Sequence, residues 1–513
     1  MQNGYLLGVD IGTSSIKVVI IDNNAQIHGV SQASYKLISH NKNYIQIDTE
    51  DCWKTYIKCL KNIFSEKLIN PKEITGIGIS GLCPGLTAFD YNGNVLVDPI
   101  IYSDRRSLEE ATLIEKTVGN DNIFSITANR VMAGAISSTS MLWIKRNMPE
   151  QYRSIKYFGH INTLFAYLMT KSFAVDYSNA SYTGLFETVK GNDGNWSEEL
   201  CDKIGIDIKK LPPILSSYNV VGYLNNHDII SLGIPKDTPV VIGGGDTACA
   251  TFAAGITKDG DVCESVGTTN VLTVCVDKPL FDNRFLNRCH VVDGTWIYQG
   301  ALSHVGSSLQ WFRDNFCEDI IKKAKHELCD KTAYQLMDEE AFNSSQGANG
   351  VVFLPYMLGE RSPIWDPYAR GVFFGISLFN KRNDLIRAIM EGCGYGLRQL
   401  IEIAQEIRHS DISGFISIGG GAKSEIWAKI KSDITGKDIT ILDINDMAPV
   451  GAALLAGVGN NTFENVYQAS DKVNKSVYKY VTSNNSLAYE NNYKVYTNLY
   501  PKIKDLFAIL NND

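Results

Sequence analysis

A polar turn near the start of the chain has the residue types that hold phosphate. Asp10 ends an apolar run, and Gly12, Thr13 and Ser14 lead into a second apolar run that contains Lys17. Glycine exposes backbone N–H groups and hydroxyl groups add donors, which gives a concave patch suited to phosphate oxygens. The Asp10 carboxylate can hold Mg²⁺ through water, and Lys17 can add positive charge. An ordinary hairpin turn would use the same residues, so the segment alone leaves both interpretations open.

A related turn lies in the second half of the chain. Residues 260–276 (GDVCESVGTTNVLTVCV) repeat the strand, turn, strand order of residues 4–20 (GYLLGVDIGTSSIKVVI). The repeated turn is Gly267-Thr268-Thr269, a sequence that is common in turns and weak by itself. As the partner of the first turn it predicts that one triphosphate chain is held from two sides.

A glycine cluster, 243–245, ends the apolar run PVVIG and is followed directly by Asp246. A carboxylate beside exposed backbone can accept the proton of a hydroxyl group during phosphoryl transfer, which otherwise needs positioning and metal charge. The alternative is that Asp246 only caps the helix predicted for TACATFAAG, and both roles are compatible.

A second glycine cluster, 419–421, continues into Ala422-Lys423-Ser424, and this segment follows the strand pattern FISI and precedes a predicted helix. Glycines let a flat ligand approach the backbone, and a helix start favours anionic groups. By contrast, Gly76 to Gly81 matches G-x-G-x-x-G only formally, because a dinucleotide site needs a helix there and Cys83-Pro84-Gly85 follows instead. The chain has no G-x-x-x-x-G-K-[ST] segment, so its nucleotide site is not of the P-loop type.

Composition excludes several classes of protein. The 513 residues carry a net charge of −8 without long charged runs, which gives no footprint for nucleic acid. The 11 cysteines form no Cys-x-x-Cys pair, which argues against a disulfide framework and a structural zinc site. No apolar stretch is long enough to span a membrane and the N-terminus lacks secretory-signal features, so we expect a cytoplasmic protein.

The pattern of apolar runs predicts the elements that position these turns. Strands at 5–10, 16–21 and 27–30 form a meander, a helix starts at Thr49 with Thr49 and Asp51 as candidate caps, and a strand covers 74–80. Mixed strands and helices continue, so the class is α/β. The repeat of the plan predicts two related domains facing one cleft, and the tail after about residue 460 ends in a helix packed on the second domain.

Over about residues 5–457 these segments together resemble the FGGY carbohydrate kinases, which belong to the actin/hexokinase/Hsp70-like ATPase superfamily. The sharpest similarity is the C-terminal signature, in which 371–376 (GVFFGI) is followed after seven residues by 384–391 (DLIRAIME). The segment 359–363 (GERSP) is similar to the family's GER-[ST]-P motif. The resemblance implies two actin/hexokinase-like (ribonuclease H-like) α/β domains around an interdomain cleft: residues 1–245, residues 246–460, and a helical tail at 461–513.

The resemblance also implies a role for each candidate residue. Asp246 would be the catalytic base, and Asp10 and Asp246 would lie at the metal, Mg²⁺. ATP would be bound by Thr13, Ser14, Lys17, Gly267, Thr268, Thr269, Gly420, Gly421, Ala422 and Gly451. The sugar would meet Cys83, Pro84, Asp104, Arg106 and Asp246.

Two departures from the family pattern concern the sugar side. Ser140 replaces the lysine of the N-terminal signature, and Leu82 to Gly85 replaces the Met-His-Gly of xylulose kinases, although 176–181 (DYSNAS) is similar to that branch. We expect a small-molecule acceptor, with a ketopentose such as D-xylulose first and gluconate, glycerol, erythritol or another polyol as the alternative. An actin/Hsp70-like ATPase and a sugar-sensing regulator are the non-kinase alternatives, but no DNA-reading module precedes the first strand. Among assemblies, we consider a homodimer for this protein.

Overall fold

Two large mixed sheets organise the chain in a computed structural model, which describes residues 4–41, 43–326, 329–442, 447–473, 477–481 and 487–510. The strands of the first half are β1 Tyr5–Ile11, β2 Ser15–Ile21, β3 Ile27–Ser34, β4 Leu37–Asn41, β5 Tyr44–Ile47, β6 Ile74–Gly81, β7 Gly85–Phe89, β8 Val95–Ile101, β9 Tyr157–Gly159, β10 Val175–Asp176, β11 Ile214–Leu215, β12 Val220–Tyr223 and β13 Pro239–Gly245. Its helices are α1 Thr49–Ser65, α2 Leu108–Val118, α3 Asn120–Thr127, α4 Ser137–Asn147, α5 Pro149–Ser154, α6 Ile161–Thr170, α7 Tyr177–Ala180, α8 Glu198–Ile204 and α9 His227–Ile230.

The second half contains the longer helices. Its strands are β14 Val262–Val266, β15 Asn270–Val276, β16 Leu286–Cys289, β17 Trp296–Leu302, β18 Val352–Leu354, β19 Val372–Phe374, β20 Gly414–Ile418, β21 Asp438–Leu442 and β22 Val477–Tyr480. Its helices are α10 Asp246–Ala253, α11 Val305–Phe316, α12 Glu318–Ala324, α13 Ala333–Phe342, α14 Arg382–Arg408, α15 Glu425–Thr435, α16 Met447–Gly459, α17 Val466–Asp471 and α18 Leu487–Leu510. The α/β class predicted from the sequence is confirmed.

The two sheets share one topology over six strands, and the second has β16 as an additional edge strand. The first has the order β12-β13-β6-β1-β2-β3, and the second has the order β16-β17-β15-β14-β20-β21-β22. In each sheet an antiparallel hairpin, β1–β2 or β14–β15, pairs in parallel with a later strand, β6 or β20. The internal repeat is therefore confirmed, since the two hairpins with polar turns occupy equivalent places in the two sheets.

Apolar side chains from both halves bury the sheets. One core cluster fills the first half around β1, β2, α1 and α6, and another fills the second half around β15, β17 and α14. A third joins the halves, because α16 packs on β1 and β6 and also contacts α10. This contact fixes the two turn-bearing sheets against each other across the middle of the molecule.

Local capping differs in one place from the sequence prediction. Thr49 and Asp51 were expected to cap α1, but the N-cap is Asp48, whose Oδ1 accepts the backbone N–H of Asp51 at 2.9 Å. The expectation was wrong because Asp48, Thr49 and Asp51 can each cap a helix, and the sequence does not say which one leaves the helical conformation. Gly76 to Gly81 lie in β6 with no helix after them, so the dinucleotide reading is correctly excluded.

None of the helices in the described part of the chain combines the length and the apolar composition that a bilayer crossing needs.

Candidate active site

The first polar turn joins β1 and β2 at the end of the first sheet. Asp10 is the cross-strand partner of Lys17, so the two side chains lie on the same face of the hairpin. The Ser80 hydroxyl donates to Asp10 Oδ1 at 2.7 Å and thereby fixes the orientation of the carboxylate. In the turn, Thr13 is half-buried and Ser14 is exposed, which leaves the Ser14 hydroxyl accessible.

The second polar turn joins β14 and β15 at the end of the second sheet. The Gly267 N–H donates to the Thr269 carbonyl at 2.8 Å, which closes the turn. The N–H of Ser307, in the first turn of α11, donates to the Thr268 carbonyl at 3.2 Å, so this turn lies against the start of that helix. Gly267 and Thr268 are exposed.

A cavity of about 480 Å³ opens beside the second turn. The residues that line it are Gly267, Thr268, Gly306, Leu309, Gln310, Thr332, Tyr334, Gln335, Asp338, Gly420, Gly421, Lys423, Ser424 and Trp427. This volume falls in the range of ordinary small-molecule pockets. Gly267, Thr268, Gly420 and Gly421 were selected from the sequence, and the structure brings them to one pocket.

Two glycine-loop candidates lie outside this lining. Ala422 is buried, with 1% of its surface exposed, in the short 3₁₀ turn that follows β20. Gly451 lies in α16, where a Cβ atom would come within 2.0 Å of the Cys249 carbonyl oxygen in α10. The close approach of these two helices is therefore a structural reason for a glycine at position 451, and its adenosine contact stays a prediction.

Several lining residues were not found from the sequence. Tyr334, Gln335 and Asp338 lie on α13, and Gln310 lies on α11. Burial raises the pKa of Asp338 to about 6, opposed by a hydrogen bond with the Ser424 side chain. These helices carry no glycine cluster or recognisable motif, and only the tertiary fold brings them to the glycine loop.

Asp246 is the first residue of α10, directly after β13. Its Oδ1 accepts the backbone N–H of Thr247 at 2.6 Å and the Thr247 hydroxyl at 3.1 Å. Burial raises the pKa of Asp246 above its usual value, while the nearby positive charge of Arg288 opposes this shift. A carboxylate with a raised pKa is a better proton acceptor than an exposed one, so the local helix-cap role and a base role are compatible here.

The strand end that carries Asp246 is held by buried side chains. The Asn162 amide donates to the carbonyl oxygens of Ile79, Ile242 and Gly244, each at 3.1 Å, and so ties β6 to β13. Ser178 Oγ accepts the Gly245 N–H at 3.0 Å and itself donates to Asp176. This network fixes the backbone directly before Asp246.

Cys83 lies close to this strand end. A Cβ atom at residue 245 would lie 3.4 Å from Cys83 Cβ and 2.9 Å from Arg288 Nη1. Burial raises the pKa of the Cys83 thiol well above its usual value, so the side chain is a neutral thiol at physiological pH. The structure thus brings Cys83 and Asp246, two predicted site residues, together with Arg288, which was not predicted.

Asp104 and Arg106 pair with each other. Arg106 Nε donates to both carboxylate oxygens at 3.0 Å, Nη2 donates to Oδ2 at 2.8 Å, and both side chains are almost fully buried. Asp104 Oδ2 also accepts the Ile45 N–H at 2.6 Å, and the guanidinium lies 4.4 Å from the centre of the Tyr44 ring. This pair fastens the loop after β8 to β5, and a direct sugar contact stays a prediction.

The described residues contain no group of three or more His, Cys, Asp or Glu side chains arranged to hold a metal ion. Asp10 offers a carboxylate at a strand end, with one oxygen bonded to Ser80. Such a donor fits Mg²⁺, which keeps several waters and takes one or two carboxylates together with substrate phosphates.

The C-terminal signature residues contact the scaffold. Asp384 accepts from the Ser344 hydroxyl at 2.6 Å and the Asn349 amide at 2.8 Å, at the start of α14. One turn later, Arg387 Nε donates to Glu391 Oε1 at 2.7 Å, and Arg387 Nη2 donates to the Tyr489 hydroxyl of α18 at 2.6 Å. The signature therefore joins α14 to the C-terminal helix.

Comparison with known proteins places this geometry in a family. The model of the N-terminal domain of the FGGY family of carbohydrate kinases matches residues 5–253, and that of its C-terminal domain matches residues 263–459. The xylulose kinase of Bacillus subtilis (strain 168) is 30% identical over 511 residues, which cover 99% of this chain and 98% of the relative. The gluconokinase of the same organism is 27% identical over 513 residues, covering 100% and 97%.

Solved structures agree on the fold. The crystal structure of xylulose kinase from Rhodospirillum rubrum superposes with a TM-score of 0.86 at 25% identity, covering 98% of this chain and 100% of that one. The crystal structure of gluconate kinase from Lactobacillus acidophilus has a TM-score of 0.87 at 19% identity, with coverage of 99% and 100%. The two-domain architecture expected from the sequence is confirmed.

Proposed function

Because the chain belongs to the FGGY family of carbohydrate kinases, and is thus a sugar phosphotransferase that uses ATP, we propose that its acceptor is a ketopentose, with D-xylulose first. The xylulose kinases among its relatives support this substrate over the whole length of the chain. The observation that carries the proposal is the arrangement of two equivalent hairpin turns at the ends of two sheets, with the half-buried Asp246 at the junction between the halves.

The triphosphate is proposed to lie between the two turns. Thr13, Ser14 and Lys17 offer hydroxyl groups and a cation from the first sheet, and Gly267, Thr268 and Thr269 offer backbone and hydroxyl groups from the second. The cavity beside Gly420 and Gly421 would take the adenosine, since the bare glycine backbone suits a flat base. Tyr334 and Trp427 add aromatic surface to that cavity.

Asp246 is proposed to accept the proton of the reacting hydroxyl. Its burial and raised pKa favour proton uptake, and the Thr247 bonds to Oδ1 leave Oδ2 for the acceptor. Phosphoryl transfer otherwise requires positioning and charge stabilisation, which the two turns supply. Contact of the lobes around the acceptor would exclude water and so suppress hydrolysis of ATP.

Mg²⁺ is the proposed metal, and Asp10 and Asp246 are the residues that would hold it, together with the substrate phosphates. When bound, it would neutralise charge on the transferring phosphoryl group. Lys17, the cross-strand neighbour of Asp10, would share that task.

Four further assignments complete the proposal. The domain division is residues 1–245 and 246–460, with the tail at 461–513 packed on the second domain through α18. The protein is expected to be cytoplasmic and to form a homodimer, which light scattering after size-exclusion chromatography would test. Cys83, Pro84, Asp104 and Arg106 are proposed to border the sugar.

Gluconate is the second candidate acceptor. The gluconokinase relatives cover the full chain at 26–27% identity, below the 28–30% of four xylulose kinases and at or above two others at 24% and 26%. The Cys83-Pro84 segment in place of Met-His-Gly is the sequence feature that keeps this acceptor open.

A coupled ADP-release screen with Mg-ATP tests the proposal. Pentuloses, hexonates and polyols are offered singly, and an acceptor-free reaction measures background hydrolysis. We expect D-xylulose to give the highest kcat/KM, well above background. If no member of the panel raises ADP release, the proposed substrate class is wrong.

A further inference from the structure

Arg288 is a buried arginine at the junction of the two halves. It lies in β16 with 2% of its surface exposed, and its Nε and Nη2 atoms have no hydrogen-bond partner among the described residues. Buried guanidinium groups are normally paired, because an unmet charged donor in the interior carries a large desolvation cost. Two unmet donors on one planar fork therefore indicate a ligand with acceptor oxygens.

The strand holds Arg288 rigidly. On one side, the Asn287 N–H donates to Asn129 Oδ1 at 3.0 Å, and the Asn129 amide donates back to the Asn287 carbonyl at 2.6 Å. On the other side, the Cys289 N–H donates to Ser181 Oγ at 3.0 Å. Both contacts reach into the first half of the chain, so Arg288 is fixed relative to the residues of that half.

The guanidinium faces the proposed acceptor site. Its carbon lies 5.1 Å from the centre of the Tyr182 ring, and Nη1 is so close to Gly245 that a Cβ atom there would lie 2.9 Å away. Gly245 directly precedes Asp246, and Cys83 lies on the same side of Gly245. The guanidinium that carries the unmet donors is thus beside the proposed base, whose pKa its positive charge lowers, and beside the segment that departs from the family pattern.

We propose that Arg288 is a specificity-determining residue of the acceptor site, donating from Nε and Nη2 to two neighbouring oxygens of the acceptor. The inference rests on the proposed function and deepens it, since it names the pair of acceptor oxygens that the site would recognise. A planar fork matches two oxygens held at a fixed spacing better than a single hydroxyl group does.

Two acceptor classes carry such a pair. A ketose offers its C2 carbonyl oxygen beside the C1 hydroxyl, and an aldonate offers the two oxygens of its carboxylate. The alditol obtained by reducing either compound keeps the hydroxyl groups but lacks the planar oxygen. Arg288 should therefore make the enzyme prefer a ketose or an aldonate over the matching alditol.

The test compares Arg288→Met and Arg288→Lys with the wild type. Steady-state KM and kcat are measured for D-xylulose against xylitol and D-arabinitol, and for D-gluconate against D-glucitol, together with KM for ATP. Arg288→Met should raise the acceptor KM about 100-fold through loss of two charge-assisted hydrogen bonds, and Arg288→Lys about tenfold through loss of the fork. KM for ATP should change less than threefold.

Arg408→Lys is the matched control. The Arg408 side chain is 5% exposed, but its Nη2 donates to Asp259 at 2.7 Å, and the substitution should leave both KM values unchanged. Melting temperature and circular dichroism establish that each variant is folded. If Arg288→Met does not fold, Arg288→Lys, which keeps the charge, decides the question.

The outcomes separate cleanly. Loss of the ketose-over-alditol preference assigns the fork to a ketose, and loss of the gluconate-over-glucitol preference assigns it to an aldonate. An acceptor KM within threefold of wild type in folded variants, or a parallel rise in KM for ATP, overturns the inference alone. A wild type that phosphorylates no panel member overturns the proposed function, and this inference falls with it.

Discussion

Replacement of Asp246 by asparagine removes the proposed base with little change of shape. The asparagine Oδ1 can still accept the Thr247 N–H and hydroxyl bonds, at 2.6 and 3.1 Å in the native protein. The amide group cannot take up a proton from a hydroxyl group. Asp246→Asn therefore isolates the proton-accepting role from the helix-cap role that the same side chain fills.

The expected loss of kcat is 10²–10⁴-fold, or about 2.7–5.5 kcal/mol, which is the usual contribution of a positioned general base. Stability should not fall. Burial raises the pKa of Asp246, so the ionised carboxylate destabilises the native state at pH values above that raised pKa, and asparagine removes this penalty. The free energy of unfolding at pH 7 should thus be equal to or higher than that of the wild type.

The assay measures acceptor-dependent ADP release in parallel with urea unfolding. The variant should keep its KM for ATP, because its nucleotide cavity is unchanged. Thr247→Val is the matched control: it removes one hydroxyl bond to the carboxylate, keeps the base, and should cost less than tenfold in kcat. Unchanged acceptor-dependent ADP release by Asp246→Asn would refute the kinase mechanism.

The pH profile, a buried ion pair and the wall of the cavity give three further tests. kcat/KM should rise with pH through the raised pKa of Asp246, because the base must be ionised to accept a proton. The apparent pKa of this rise should therefore lie above the usual aspartate value of about 3.9, and an apparent pKa at or below that value contradicts the assignment. Lys431→Met should lower the free energy of unfolding in urea by about 3–5 kcal/mol, because it leaves the buried Glu264 carboxylate without its cationic partner at 2.5 Å. The Glu264→Gln/Lys431→Met double variant should recover part of that loss. If the single and double variants lose the same free energy of unfolding, the broken ion pair is not the cause. Gly420→Leu should raise KM for ATP about tenfold and leave the acceptor KM unchanged, since a Cβ atom at residue 420 meets nothing within 4 Å and would extend into the cavity; an unchanged KM for ATP would place adenosine elsewhere.

The sequence was sufficient for the parts of the site that lie in local motifs. The turns at Asp10 and Gly267 could be found because strand, glycine and hydroxyl residues are consecutive, and the recurrence of the pattern predicted the matching hairpins of the two sheets. The strand, loop and helix order around Gly420 was predictable for the same reason. Each of these features depends on neighbours in the chain.

Features that depend on distant contacts could not be predicted. Arg288 follows no motif, and its proximity to Gly245 arises only from the tertiary fold, which brings together residues 43 positions apart in the chain. Asp338 resembles any helix-surface carboxylate in the sequence, yet the fold buries it in the cavity wall and raises its pKa to about 6. For Asp104 and Arg106 the motif suggested a sugar contact, and the structure adds that the two side chains form a buried ion pair, which the sequence did not predict.

The most direct test of the central claim is the balance between ADP and phosphorylated sugar. Wild-type protein is incubated with Mg-ATP, with and without D-xylulose, and both products are quantified by mass spectrometry and a coupled ADP assay. The kinase account predicts one sugar monophosphate for each ADP and little ADP without acceptor. ADP release at the same rate with and without any acceptor, and no phosphorylated sugar, would contradict it and favour an actin/Hsp70-like ATPase.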